Sequence, residues 1–418
     1  MSILFYLLAF LFSGGQLGRI SFFGQQVNVY AFEIIIAVLV VLFYRRYKLQ
    51  PILIIIRKLR SLPIFFGLLV LTFVANWAGF TFFENAVSFF YIVRLFMYFV
   101  WFTYFTYYLR HEKNAGKIAG KSFLVFCVLT VITSVLQYFF YPDLRNLYYL
   151  GWDPHLSRMF GLFFDTSVAG AIYALLLSIL FVEEKSFGRY TRLTLVCPAK
   201  RGQSSLEGYI LEQIHLRVVY RRGRWLLLGF FFVFSALSFS RSLYLSLFLV
   251  GSIELLARHK IRQLLFLLLI FAALIAIIPK PFGEGVNLAR TVTVSSRLTD
   301  YKNGLLLWQA RPLFGYGYNR IRYLKEKIGV LAPESEDMTH AGASFHSTFL
   351  IVLVTTGVAG LAAFLLLLLE LARLHKNVAT VTLLLGLLSL SDNIILHPFV
   401  LLLFLGYAGT YAVNLFEK

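Results

Sequence analysis

The amino-acid sequence predicts an all-α fold, a polytopic membrane bundle of about twelve transmembrane helices with a large outer loop between the ninth and the tenth. Three observations carry that expectation. The 418 residues are 59% hydrophobic and 14% charged, against roughly 25% charged in a soluble domain. Apolar runs of about 20 residues, the length that crosses a bilayer core, recur from one end of the chain to the other. The basic residues behind the net charge of +19 fall between those runs, which assigns them to membrane orientation rather than to a nucleic-acid partner. An ordinary soluble enzyme, a disordered chain and a collagen are excluded. With two cysteines, Cys127 in an apolar run and Cys197 in a basic loop, a disulfide scaffold is excluded too, and no bridge is expected.

The runs in chain order are 2–19, 27–44, 63–80, 86–108, 122–141, 166–182, 225–240, 242–257, 263–279, 347–372, 378–392 and 394–414. The first begins MSILFYLLAFLFSGG without a basic stretch ahead of it, which reads as a retained membrane helix rather than a removed signal peptide. With the N-terminus inside, Arg45, Arg46, Lys48, Arg57, Lys58, Arg60 and most later basic residues lie on cytoplasmic segments. Only Arg19, Arg145, Arg158 and Arg241 fall on the short outer ones, so both termini are expected in the cytoplasm. The chain reads as one integral membrane domain over 1–418. Its segment 183–224 is a basic cytoplasmic loop in which Leu206, Ile210, Ile214 and Val218 share one face of an amphipathic helix suited to anionic lipid. The outer loop 280–346 is basic as well, but it is too long for its charge to set topology.

Soluble-enzyme motifs are missing. There is no Walker A loop, no HExxH and no CxxC pair, which argues against ATP-driven transport within this chain and against a bound metal or cofactor. GYGY at 315–318 lacks the preceding Thr-Val of a potassium filter and follows Arg311-Pro312 in a basic loop, so a filter is rejected. Glu334, Glu336 and Asp337 lack calcium-loop spacing and are assigned no metal.

The arginines at the outer face are more informative. Arg241 lies in LSFSRSLYLSLF, where two apolar runs abut. An unpaired guanidinium deep in a bilayer costs about 2.5 to 3.5 kcal/mol, so Arg241 requires the interface, a carboxylate or an anionic ligand. Arg158 in DPHLSRMFG and Arg297 in VSSRLTDYK are expected on the same face. Three forked guanidiniums suit a diphosphate, and a lipid diphosphate fits the location. His346 directly precedes a long apolar helix, whose N-terminal dipole should lower its pKa and favour the neutral form of a general base, while a nearby phosphate would oppose this. His340, six residues earlier, is the competing histidine.

Five segments carry a family likeness: FYIVRLFMYF at 90–99, LQYFFYPDLRNLYYLGWDPHLSRMFGLFFDTSVAG at 136–170, SFSRS at 238–242, RLTDYKNGLLLWQARPLFGYGYNR at 297–320 and HSTFLIVLVTTGVAGL at 346–361. In that order they resemble the bacterial O-antigen ligase and polymerase superfamily of polytopic glycosyltransferases. The resemblance implies a metal-independent, inverting transferase in the bacterial cytoplasmic membrane that uses no cofactor. It would take a glycan from an undecaprenyl-diphosphate carrier on the outer face. The acceptor would be a lipid A core sugar, another lipid-linked glycan or a protein.

Matched position by position, Arg241 and Arg297 are assigned to the donor diphosphate, Arg158 to a third arginine and His346 to the base. Arg311 and Arg320, with Arg322, Lys325 and Lys327, lie in the outer loop that would cover the site and contribute to binding. The chain departs from the family at Phe164-Asp165-Thr166-Ser167, where many relatives read Asp-Pro-Asn. The opposing reading is a transporter or flippase of a lipid-linked or amphiphilic anion, which would also place arginines at a membrane cavity.

Overall fold

A computed structural model describes residues 1–150, 152–153, 155–182, 223–257, 292–329 and 344–416, with isolated positions between 259 and 286. The first helix, α1 (Ser2–Ser13), is followed by the antiparallel strands β1 (Arg19–Phe22) and β2 (Val27–Tyr30), with Arg19 opposite Tyr30. Helices α2 (Ala31–Tyr47), α3 (Gln50–Lys58), α4 (Ser61–Ala75), α5 (Phe82–His111), α6 (Ala115–Phe140) and α7 (Thr166–Val182) come next. After the segment 183–222 come α8 (Gly223–Leu237), α9 (Arg241–Ala257), α10 (Val292–Ala310), α11 (Ile321–Lys327), α12 (Thr348–Arg373), α13 (Lys376–Ser391) and α14 (Pro398–Tyr411).

Every expected apolar run has a helix within it except 263–279, most of which lies outside the described residues, as do His340, Cys197 and nearly all of the loop 183–224. Four helical stretches, α5, α6, α12 and Pro398–Phe416, are long and apolar enough to cross a membrane, and further apolar helices of 10–17 residues pack among them. This is an all-α integral membrane protein.

Local chemistry sets the helix starts. Thr81 and Glu84 form a reciprocal capping box on α5, with Glu84 N donating to Thr81 Oγ1 at 3.3 Å and Thr81 N to Glu84 Oε2 at 2.6 Å. Proline occupies the first turn of α3 and of α14, where its missing N–H costs nothing. Among the described residues the bundle interior holds a buried ion pair, Arg94 Nε to Glu33 Oε1 at 2.5 Å, and Tyr98 donates to the same oxygen. A charge this deep persists only when paired.

The helix ends sort into two groups. At one end Arg46 meets Glu112 at 2.5 Å, Ser61 Oγ donates to Glu370 at 2.5 Å, and Asn377 reaches Tyr411 at 2.9 Å. At the other end the last turns of α6, α8 and α13 meet the first turns of α7, α9, α12 and α14.

The expected loop 280–346 is partly helical: α10 and α11 lie in it. Hydropathy does not reveal α10, because its first half, VTVSSRLTDYK, is polar. The stretch between them, 312–317, enters a break in α12. At Gly357 the backbone turns to φ 68°, ψ −170°. Around it, Tyr316 N and Gly317 N donate to the carbonyls of Val354 (3.2 Å) and Thr355 (2.7 Å), while Val358 N and Ala359 N donate to Pro312 O (2.9 Å) and Leu313 O (3.4 Å). The helix thus exchanges hydrogen bonds of its own for four with the loop, which pairs these backbone groups in an apolar setting. No side chain fits at the junction: a Cβ on Gly357 would lie 2.1 Å from Leu313 O, and one on Gly315 would lie 2.5 Å from Val354 O.

Candidate active site

One wall of the site is built from the segment before α7 and the turn between α8 and α9. Gln137 on α6 accepts from the amides of Phe160 (3.0 Å) and Gly161 (2.9 Å) and donates to Arg158 O (3.3 Å), which fixes the backbone beneath Arg158. The buried Arg158 side chain then donates Nε to Ser238 O at 2.9 Å and Nη2 to Phe239 O at 3.2 Å. Phe239 has φ +50°, a sharp reversal that places Arg241 at the first position of α9. Arg158 therefore clamps the turn that presents Arg241.

The facing wall is α10 together with the start of α12 and the end of α13. Arg297 and Asp300 stand three residues apart and so share a face of α10. Arg297 Nη2 lies 3.6 Å from Asp392 Oδ2 at the end of α13, and its buried Nε has no hydrogen-bond partner among the described residues. Asp300 Oδ2 contacts His346 Nδ1 and accepts the His346 backbone N–H at 3.2 Å, while Oδ1 receives Lys325 Nζ at 3.2 Å. Ser347 caps α12 by accepting Leu350 N at 3.4 Å and donates to Ser389 O at 3.1 Å. The Asp392 carbonyl accepts Thr348 N at 3.3 Å, so α12 and α13 are pinned beside His346.

The two walls share one electrostatic field. The charge of Arg297 acts on Arg241, on His346 and on Asp153; that of Asp392 acts on His346, Asp153 and Asp165. Arg158, Arg241, Arg297 and His346, singled out from sequence alone, thus gather at one end of the bundle.

The contact with Asp300 raises the His346 pKa above its ordinary value; burial opposes it, and Asp392 adds to the rise. The helix-dipole argument points the other way, and the direction it gives is corrected here: a carboxylate in contact outweighs partial charges at a helix end. Burial pushes the Asp300 carboxyl up, but His346 and Lys325 together hold it below its ordinary value. Burial, then Asp392 and Asp153, raise Asp165 to about 7, although it caps α7 by accepting Ser167 N at 2.6 Å and Val168 N at 3.1 Å. Asp153 is raised by burial and by Asp392, and solvent still reaches its side chain, which tempers the effect.

Arg311 and Arg320 are placed elsewhere. Arg311 contacts Asn76 Oδ1 and stacks on Tyr316 at 4.8 Å. Arg320, fully buried, donates to Tyr316 O (3.1 Å), Phe73 O (3.2 Å) and Asn85 Oδ1, with Phe73 and Phe80 against its guanidinium. Both anchor the inserted loop to α4 and α5. Sequence reasoning missed Asp153, Asp300 and Asp392 as members of the site. One signal was available for Asp300, which follows Arg297 by one helical turn.

A family profile described as O-antigen ligase matches residues 225–365, the stretch from α8 through the first part of α12 that carries Arg241, Arg297, Asp300 and His346. That match supports membership of the O-antigen ligase and polymerase superfamily. Arg158 and Asp392 lie outside the matched residues yet sit against those within them. The family description points to a membrane enzyme that transfers glycans. A search of the curated proteins finds no match.

Proposed function

We propose that this superfamily member is an inverting, metal-independent glycosyltransferase. It takes a glycan from an undecaprenyl-diphosphate carrier and joins it to an acceptor sugar at the outer face of the bacterial cytoplasmic membrane. The observation that carries the reading is Arg297, whose charge acts both on Arg241, presented by the turn that Arg158 clamps, and on a histidine whose Nδ1 is engaged by a carboxylate. Arg241 and Arg297 face the donor diphosphate and stabilise the charge that develops as it leaves, the part a metal ion plays in other transferases. Arg158 sets the Arg241 turn. Arg45 and Arg46 at the end of α2 and Arg373 at the end of α12 lie at the opposite end of the bundle and support the reading of twelve spans only in its orientation, with that end in the cytoplasm.

The reaction balances as a single displacement. The acceptor hydroxyl oxygen bonds to the anomeric carbon on the face opposite the diphosphate, its proton passes to His346 Nε2, and the carbon–oxygen bond to the carrier breaks with its electron pair on the diphosphate. Attack from the opposite face inverts the centre. A purified lipid-linked donor and a detergent-solubilised enzyme test this: His346→Ala lowers turnover by about 100-fold to 10,000-fold, the usual contribution of a general base, while donor binding and thermal melting are retained. Wild-type turnover by His346→Ala would sink the assignment. Transfer in detergent also separates this reading from a flippase, which requires a sealed bilayer.

A further inference from the structure

We infer that Asp300 is a positioning residue that holds the proton of His346 on Nδ1 and leaves the Nε2 lone pair directed at the acceptor. The inference rests on His346 being the base. Asp300 Oδ2 engages both the ring Nδ1 and, at 3.2 Å, the backbone N–H of the same residue, so one carboxylate oxygen fixes the tautomer and the ring together. Its second oxygen is held by Lys325, whose side chain is 4% exposed and whose Nζ also donates to Ser344 O at 2.6 Å, two residues before His346. The Phe345 ring lies 4.5 Å from the same ammonium. Lys325 therefore keeps Asp300 ionised and aimed, and α10, α11 and the start of α12 close on one point.

In the displacement above, the proton taken by Nε2 turns the imidazole into an imidazolium beside an ionised Asp300. That carboxylate stabilises the cation without accepting the proton, as orienting carboxylates do. After the carrier diphosphate departs, Nε2 releases the proton to water. The charged groups facing His346 are Asp300 and Arg297 from α10, Asp392 after α13, Asp153 before α7, and Lys325 from α11 through Asp300.

The test uses the full-length protein in detergent with two readouts. Diethyl pyrocarbonate modifies neutral imidazole, so the pH of half-maximal His346 modification, followed by mass spectrometry, reports its proton affinity without any substrate. Turnover is measured with undecaprenyl-diphosphate-linked glycan extracted from host membranes. Asp300→Asn should move half-modification to lower pH by about one unit, tenfold in proton affinity. It should also lower kcat by about 10-fold to 100-fold, the usual cost of losing an orienting partner, with KM for donor unchanged. Asp300→Glu should restore part of both, and it serves as the readout if the Asn variant melts early. An unmoved titration in Asp300→Asn overturns the inference, as does a Lys325→Met variant that reproduces the whole kcat loss without shifting His346. The two readings fail separately: an active His346→Ala removes the base itself, whereas an inactive His346→Ala with an unshifted Asp300→Asn removes only the role of Asp300.

Discussion

In the proposed reaction, Arg241 and Arg297 would act through the shape of their hydrogen-bond donors as much as through their charge. Lysine keeps the charge and loses the planar fork, so Arg241→Lys and Arg297→Lys should each lower kcat by about 100-fold, the scale of losing one preorganised donor at a developing oxyanion, with expression unchanged. Arg320→Lys should behave differently. It abandons carbonyls of Phe73 and Tyr316 inside the fold, so a lower melting temperature is expected before any change in donor KM. The contrast shows which arginines sequence can rank. Arg241 stands between two apolar runs, where a charge demands an explanation, Arg158 and Arg297 were expected on the same face, and the three do gather. Arg320, assigned to binding only as a basic residue of the outer loop, is an internal brace, because spacing cannot say whether a guanidinium faces backbone carbonyls or a ligand. Asp300 offered only its spacing from Arg297, and Asp392 offered no signal. A carboxylate in a polar stretch looks solvated until the fold brings it against a histidine 46 residues away, as it does Asp300.

The helices themselves were legible wherever burial in lipid leaves an apolar run, and α10 was not, since its polar face lines the site and its hydropathy is that of a loop. Neither was the insertion of 312–317 into α12, which depends on two glycines meeting across the chain. Gly357→Ala should lower stability by about 1 to 3 kcal/mol, the cost of a non-glycine residue forced into a sparsely populated backbone region, with added loss from the Cβ against Leu313 O. Thermal melting in detergent measures it. Gly67→Ala is the matched control: it sits in α4 with nothing within 4 Å of the added carbon, so its melting temperature should hold or rise.

For the molecule as a whole, the distribution of basic residues sets an expectation of which ends the membrane keeps inside. Reporter fusions at Lys48, Arg201 and Lys418 are expected to give cytoplasmic signals, and an outer-face signal at Lys48 would reverse the orientation. The insertion of 312–317 into α12 has a mechanical consequence. Helix α10 is fastened to α12 twice, once where Asp300 meets His346 and once where the strap after α10 is laced into the break at Gly357. Two attachments with the rigid stretch of α12 between them make a triangulated truss. The Arg297 fork and the His346 ring are then set at a fixed separation, like the jaws of a gauge. In the proposed reaction, glycans of different bulk must then be accommodated by the opposite jaw, the Arg158-clamped turn that carries Arg241.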